Sequence, residues 1–161
     1  MPATFEDLKI LKTAEEIADS HWKHVVQWDD FAKDVVGKQV TRAADSIGAN
    51  IAEAFGRYHF GEKLQFLYYS RGSLFETKYW LNRTKVRGLM KPNEVQEVVE
   101  NLTGLARQLN TFASSLKTVK TEYPKKKTSA IREKISEYKT VDEGEISLPL
   151  FSQDDLIFIS G

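Results

Sequence analysis

The chain contains no cysteine. That removes disulfides, thiolate nucleophiles and zinc–thiolate sites together, and it fits a reducing compartment. Nor is there a charge excess of either sign: Lys plus Arg number 23 and Asp plus Glu number 23, so a nucleic-acid reading must rest on local charge. The opening "MPATFEDLK" lacks a basic region followed by an apolar run, and no later run approaches the roughly 18 apolar residues that cross a bilayer. These absences predict a soluble, cytoplasmic chain without a membrane partner. Catalytic signatures are missing as well. No Gly-rich run leads into a helix with a following Lys-Ser or Lys-Thr, and the carboxylate pairs Glu15–Glu16 and Asp29–Asp30 are adjacent, so each pair diverges around a helix or caps its start. Of the three histidines, His21 and His24 stand three apart with no carboxylate on the same face to complete a metal triad, and both are read as surface or boundary residues. The expectation is a non-enzyme with no metal and no cofactor.

What the sequence does have is helical periodicity. With 161 residues, 41% of them hydrophobic, the chain can bury one core of ordinary domain size. A first helix is predicted over 4–28, capped by Thr4 with Asp7 three residues on, its apolar face formed by Phe5, Leu8, Leu11, Ala14, Ala18, Trp22 and Val25. A second opens near Asp29 or Asp30 and runs to Arg57, burying Val36, Val40, Ala43, Ala44, Ile47, Ile51 and Ala54; Gly37 and Gly48 each call for a packing reason or a break. A third spans 61–88 on Leu64, Leu67, Tyr68, Leu74, Phe75 and Leu81, with Gly88 as its C-terminal cap. The fourth starts at Pro92 and carries Val95, Val98, Val99, Leu102, Leu105, Ala106, Leu109, Phe112 and Leu116. Long amphipathic helices on short connections, with no strand signals, predict an all-α, up-down-up-down antiparallel four-helix bundle over 1–120.

Composition changes after Thr121. "EYPKKK" joins a breaker to a lysine run, and residues 121–161 are expected to form a flexible appendage. Its end is too apolar for an inert linker: Leu148, Leu150, Phe151, Leu156, Ile157, Phe158 and Ile159 form a docking segment, either for a partner protein or for the chain's own bundle.

The stretch 39–57, "QVTRAADSIGANIAEAFGR", carries two stripes. Beside the apolar one lie Gln39, Arg42, Ser46, Asn50, Glu53 and Arg57, spaced by three or four residues, with Glu53 and Arg57 in ion-pair order and Asn50 within reach of Glu53. The stripe has no lysine and is rich in groups that make directional hydrogen bonds, which suggests a half-buried seam between helices or subunits; phosphate contact by Arg42 and Arg57 is the rival. "RGSLFET", over 71–77, repeats the theme with Arg71, Ser73 and Glu76, and close helix packing is the expected reason for Gly72.

These two motifs, "QVTRAADSIGANIAEAFGR" and "FLYYSRGSLFETKYWL", joined by a short turn, resemble the signature of the bacterial four-helix-bundle proteins named after intervening sequences of 23S ribosomal RNA genes. Those are similar in turn to the accessory variability determinant proteins of diversity-generating retroelements. The likeness covers about 5–116; Ala54 stands where relatives commonly have glycine, and the tail lies outside the pattern. It implies a left-handed four-helix bundle assembled as a homopentamer, with a basic surface that, in the retroelement relatives, binds nucleic acid and a reverse transcriptase. The stripe residues and Arg71, Ser73 and Glu76 are then the motif positions.

Charge is uneven by region. From Arg42 through Lys91 there are nine basic residues against four acidic ones, and a ring of identical subunits repeats any such surplus around its axis. The densest cluster is "RTKVRGLMK", where Arg83, Lys85, Arg87 and Lys91 are candidate phosphate contacts, with Tyr79 and Trp80 one turn before as stacking groups. The same cations also offset the dipole of a helix C-terminus. Two functions follow: an oligomer that binds RNA or DNA and assists a nucleic-acid enzyme such as a reverse transcriptase, or a protein adaptor that docks through its C-terminal segment.

Overall fold

The computed structural model describes residues 5–122 and 149–161, and all secondary structure among them is helical. The expected Thr4 cap, Leu148 and most of the appendage lie outside the described residues. Helix α1 is Phe5–Val25. Asp29 then caps the next run, its carboxylate accepting the Ala32 N–H at 2.9 Å. That run comprises α2 (Asp30–Ala32), a wide turn Lys33–Gly37 in which the Lys38 N–H reaches back five residues to the Lys33 carbonyl, and α3 (Lys38–Gly56). Helix α4 is Phe60–Val86, α5 is Pro92–Glu122 and α6 is Gln153–Ser160.

Gly37 has the packing reason that the sequence asks for: a Cβ there would stand 2.8 Å from Val25 Cγ1, closer than carbon atoms tolerate. Gly48 marks no break. A Cβ there would meet Ala14 Cβ at an ordinary 3.5 Å, and α3 runs straight through it. Gly88 ends α4 with φ +71°, the left-handed conformation that glycine adopts without strain, and the Leu89 N–H then closes on the Thr84 carbonyl at 2.9 Å. Pro92 opens α5, where its missing N–H costs nothing.

α3 packs against α1 and α4, and α5 packs against the same two, so each long helix has two long neighbours. Between them Ile17, Ile47, Ile51, Leu67, Leu74, Leu81, Leu102, Leu105 and Leu109 are fully buried. The expected apolar faces of α3 and α5 are the observed ones. For α1 the expected stripe is rotated. Ile10, Ala14, Ile17, His21 and Val25 point inward, whereas Leu8 is 60% and Trp22 57% exposed. The helix is apolar around about half its circumference, and the strongest sequence stripe lies on the outer part of that half.

Close approach of α3 and α4 does not come from Gly72, where an added Cβ meets nothing within 4 Å. It comes one turn-face away at Ser70, which is fully buried and donates its hydroxyl to the Ile47 carbonyl at 3.0 Å. At the α3–α4 turn the Lys63 ammonium donates to the Ala54 and Phe55 carbonyls at 3.3 Å each, placing a cation at the α3 C-terminus.

Residues 149–161 lie on the helical body rather than off it. Leu150, Phe151 and Ile159 are buried in the common core, Phe151 and Phe158 contact Phe75, and α6 packs along α5. The segment forms a capped helix: Ser152 and Asp155 exchange hydrogen bonds between side chain and backbone at 3.1 and 2.8 Å.

Candidate nucleic-acid interface

The basic cluster sits where α4 ends and α5 begins. The Gly88 turn folds the chain sharply there, so Lys85, before it, and Lys91, after it, come to line one open groove of about 530 Å³. The end of α1 supplies the other wall with His24, Gln27 and Trp28. Arg83 and Arg87 do not line this groove: Arg83, two residues before Lys85, falls on the other side of α4, and Arg87 caps the end of that helix. The structure therefore brings together two of the four predicted cations, and adds a histidine and a tryptophan edge that sequence spacing had no means of placing beside them. Lys85, Arg87 and Lys91 are exposed, Arg83 is half-buried, and none of the four forms an ion pair among the described residues. Glu94, the acid nearest in sequence, is occupied in accepting the Lys91 backbone N–H at 2.8 Å. One helical turn or more back, Tyr79 is exposed and packs edge-on against Trp80 at 5.1 Å.

A further lysine of α4, Lys78, lies inside the fold. Its side chain is buried, and burial, followed by repulsion from Lys85, pushes its ammonium pKa below the usual lysine value. It makes no ion pair among the described residues.

The polar stripe of α3 is continuous and held on itself. Arg42 donates to Gln39 Oε1 at 3.4 Å, Ser46 to the Arg42 carbonyl at 2.7 Å, Asn50 to the Ser46 carbonyl at 2.8 Å, and Arg57 pairs with Glu53 at 2.5 Å. Asn50 thus turns back along the helix instead of forward to Glu53. Gln39, Ser46, Asn50 and Arg57 are half-buried, whereas Arg42 and Glu53 are exposed. Arg42 also approaches Glu76 of α4 at 3.9 Å, and Arg57 lies over the Phe66 ring at 4.7 Å, so within one subunit the stripe borders the α3–α4 seam. On its other side Arg42 and Ser46 line a second groove of about 770 Å³, with Trp22, Val25 and Val26 of the first helix region and with Thr41, whose buried hydroxyl has no hydrogen-bond partner.

Arg71 and Ser73 part company. Ser73 donates to the Tyr69 carbonyl of its own helix, whereas Arg71 reaches across to Asp155 of α6. Of the docking residues, Leu150, Phe151 and Ile159 are buried, Leu156 is half-buried, and Ile157 and Phe158 are 66% and 61% exposed. The residue that clasps this segment, Asn110, carries no sequence signal, since its partner lies 41 positions away.

His21 is a correction. It is fully buried, not a boundary residue, because it falls on the inner stripe of α1 with Ile17 and Val25. Its Nδ1 lies 3.3 Å from the Ile17 carbonyl and so carries the proton, leaving Nε2 as a buried lone pair without a partner. No group of three or more His, Asp or Glu among the described residues is arranged to hold a metal ion. No helix among them is long and apolar enough to cross a membrane.

No curated protein matches the chain in sequence. A family model described as "23S rRNA-intervening sequence protein" matches residues 6–111, which run from the start of α1 to the clasping turn of α5. The match contains both motif stretches, the Gly88 turn and all four cluster cations, and by it the chain belongs to the 23S rRNA-intervening sequence protein family.

Proposed function

We propose that this chain is a non-enzymatic RNA-binding accessory protein that acts as a homo-oligomer and serves a nucleic-acid enzyme. The single observation that carries this reading is the set of four cations at the α4–α5 turn, none of them neutralised by an ion pair among the described residues. Two of them share a groove with His24 and Trp28, which offers phosphate contact beside a surface for base stacking. The family name, which refers to ribosomal RNA, points the same way.

In this reading the four long helices are an up-down-up-down antiparallel bundle and the assembly is the pentamer that the resemblance implies. Support comes from the outer stripe of α1. Trp22 and Val26 line the groove that holds Thr41 and Arg42 and, together with Leu8 and Phe31, leave apolar area open that a second copy would bury.

The test is fluorescence anisotropy with a labelled RNA hairpin and a labelled single strand over a salt series. Binding is expected to weaken steeply with salt, and Lys85→Glu with Lys91→Glu to lower affinity about tenfold or more at moderate salt. Equal affinity of the double variant and the parent for both RNAs would reject the interface. Light scattering during size exclusion decides the assembly.

A second reading, the adaptor, draws on α6, whose outer face leaves Ile157 and Phe158 exposed for a protein partner. Capture of the same partner after Ile157→Ser and Phe158→Ser would dismiss it.

A further inference from the structure

The surface on which residues 149–161 lie has the parts of a peptide-binding site. Asn110 donates to the Phe151 carbonyl at 2.9 Å and accepts from the Phe151 N–H at 2.6 Å, so one side chain satisfies both main-chain groups of one residue. This clasp grips the backbone whatever side chain it bears. Specificity lies on either side of it. Leu150 and Phe151 fill apolar space, with Phe151 stacked on Phe75 at 6.0 Å, and one helical turn further Arg71 meets both carboxylate oxygens of Asp155 at 3.3 Å. The capping box of Ser152 and Asp155 orders the segment through its own bonds and not through the body.

We propose that this seat on α4 and α5 is an exchangeable peptide-binding site, and that it accepts residues 149–161 from a second copy of the chain. The contacts described join the seat to residues 149–161 themselves. The connection, residues 123–148, comprises 26 residues and at full extension reaches roughly 85–95 Å, far beyond the dimensions of one helical body. Which seat a segment fills is then set by local concentration. The chain's own segment and that of a neighbour held in an assembly then compete for the same seat. Exchange is thus a property of assembled copies and rare between free ones. In this state a copy contributes Phe151 and Asp155 to a site completed by its neighbour's Asn110, Arg71 and Phe75. The inference concerns peptide recognition and stands apart from the RNA reading.

The absence of cysteine makes the test direct. One full-length chain carries Arg71→Cys with Phe151→Ala, which frees its seat; another carries Asp155→Cys with Asn110→Ala, which frees its segment. Mixed and treated with a short bis-maleimide, they are expected to give an interchain product on a denaturing gel. Adding Asn110→Ala to the first chain should reduce it about thirtyfold, as the loss of two hydrogen bonds requires. A single chain with Arg71→Cys and Asp155→Cys reports the seat in its closed form and should link internally, while circular dichroism confirms that every variant keeps its helices. An internal link without an interchain product overturns the exchange. No internal link overturns the seat itself, and an interchain product indifferent to Asn110→Ala overturns the clasp. Light scattering on the parent chain reports its assembly separately: a monomer there together with an abundant interchain product would overturn the dependence of exchange on assembly and keep the seat.

Discussion

Arg71 and Asp155 are 84 residues apart in sequence, yet a guanidinium nitrogen of Arg71 lies 3.3 Å from each carboxylate oxygen of Asp155 while its central carbon stands 4.8 Å over the Phe75 ring. Burial alone would raise the Asp155 pKa. The bonds from the Ser152 backbone and side chain, then the bond and charge of Arg71, outweigh it and hold the carboxyl below its usual value. A carboxylate depressed in the folded state stabilises fully above its unfolded pKa and loses that contribution as pH falls through the folded one. Docking of 149–161, followed by the Phe151 amide resonance, should therefore hold steady down to about pH 4 and loosen below it. Asp155→Asn should remove the acid transition, at a stability cost of about 1 kcal/mol or less, because the pair is partly exposed and screened.

Asn110→Ala leaves both main-chain groups of Phe151 without their partner. The expected loss is about 2 kcal/mol for two hydrogen bonds at a half-buried site. Hydrogen exchange would show it as faster exchange across 151–160, with α1, α3 and α4 unaffected; uniform acceleration throughout the chain would mean that the segment is an integral part of the core.

His21 sets a second pH dependence of the same sign by a different route. Burial lowers its pKa from 6.5 to about 4, the hydrogen bond to the Ile17 carbonyl works against this, and the charge of His24 adds to it. The folded state thus holds His21 neutral, and below pH 6.5 the unfolded chain binds the extra proton. Stability attributable to this residue is complete above about pH 6.5 and falls by roughly 3 kcal/mol as pH drops toward 4. Urea denaturation across that range should show the slope. His21→Leu should flatten it and add about 1 kcal/mol or more at neutral pH by removing a buried acceptor without a partner.

The glycines of the two motif helices should respond in opposite directions. Gly37→Ala places a methyl 2.8 Å from Val25 Cγ1 and should cost about 1–3 kcal/mol by overpacking. Gly72→Ala enters open space on an exposed helical surface and should stabilise the chain by up to about 1 kcal/mol. Thermal melts measure both. If Gly72→Ala instead lowers the assembled mass in light scattering, the face around Gly72 is a contact between copies.

Much of this architecture was legible in the sequence because helical burial is periodic. Val40, Ala43, Ala44, Ile47, Ile51 and Ala54 are buried as their spacing demands, and Gly88 and Pro92 delimit the α4–α5 turn as their backbone chemistry demands. What spacing conceals is choice of face when a helix is apolar on more than one. On α1 the larger residues, Leu8 and Trp22, drew the expected stripe outward, and His21 entered the core beside smaller neighbours. Contacts between distant segments were likewise hidden. Ser70 reaching Ile47, His24 and Trp28 lying beside Lys85, and Asn110 clasping Phe151 each depend on where helices end up. The candidate site was therefore half visible: its cations could be counted, but the meeting of Lys85 and Lys91 beside the end of the first helix followed only from the turn at Gly88.

The wide turn at Lys33–Gly37 has an implication for how the protein tolerates change. A stretch bonded five residues back accommodates one residue more than a regular helix would over the same rise. Deleting Val35, which is exposed, should let the backbone rewind to ordinary four-residue bonding. Everything from Lys38 onward would keep its orientation, and so would Asp29, Asp30 and Phe31, because the wide turn already absorbs the extra residue. Length variation at this point is taken up by the turn itself, so a residue can be gained or lost there without redirecting either end of the run.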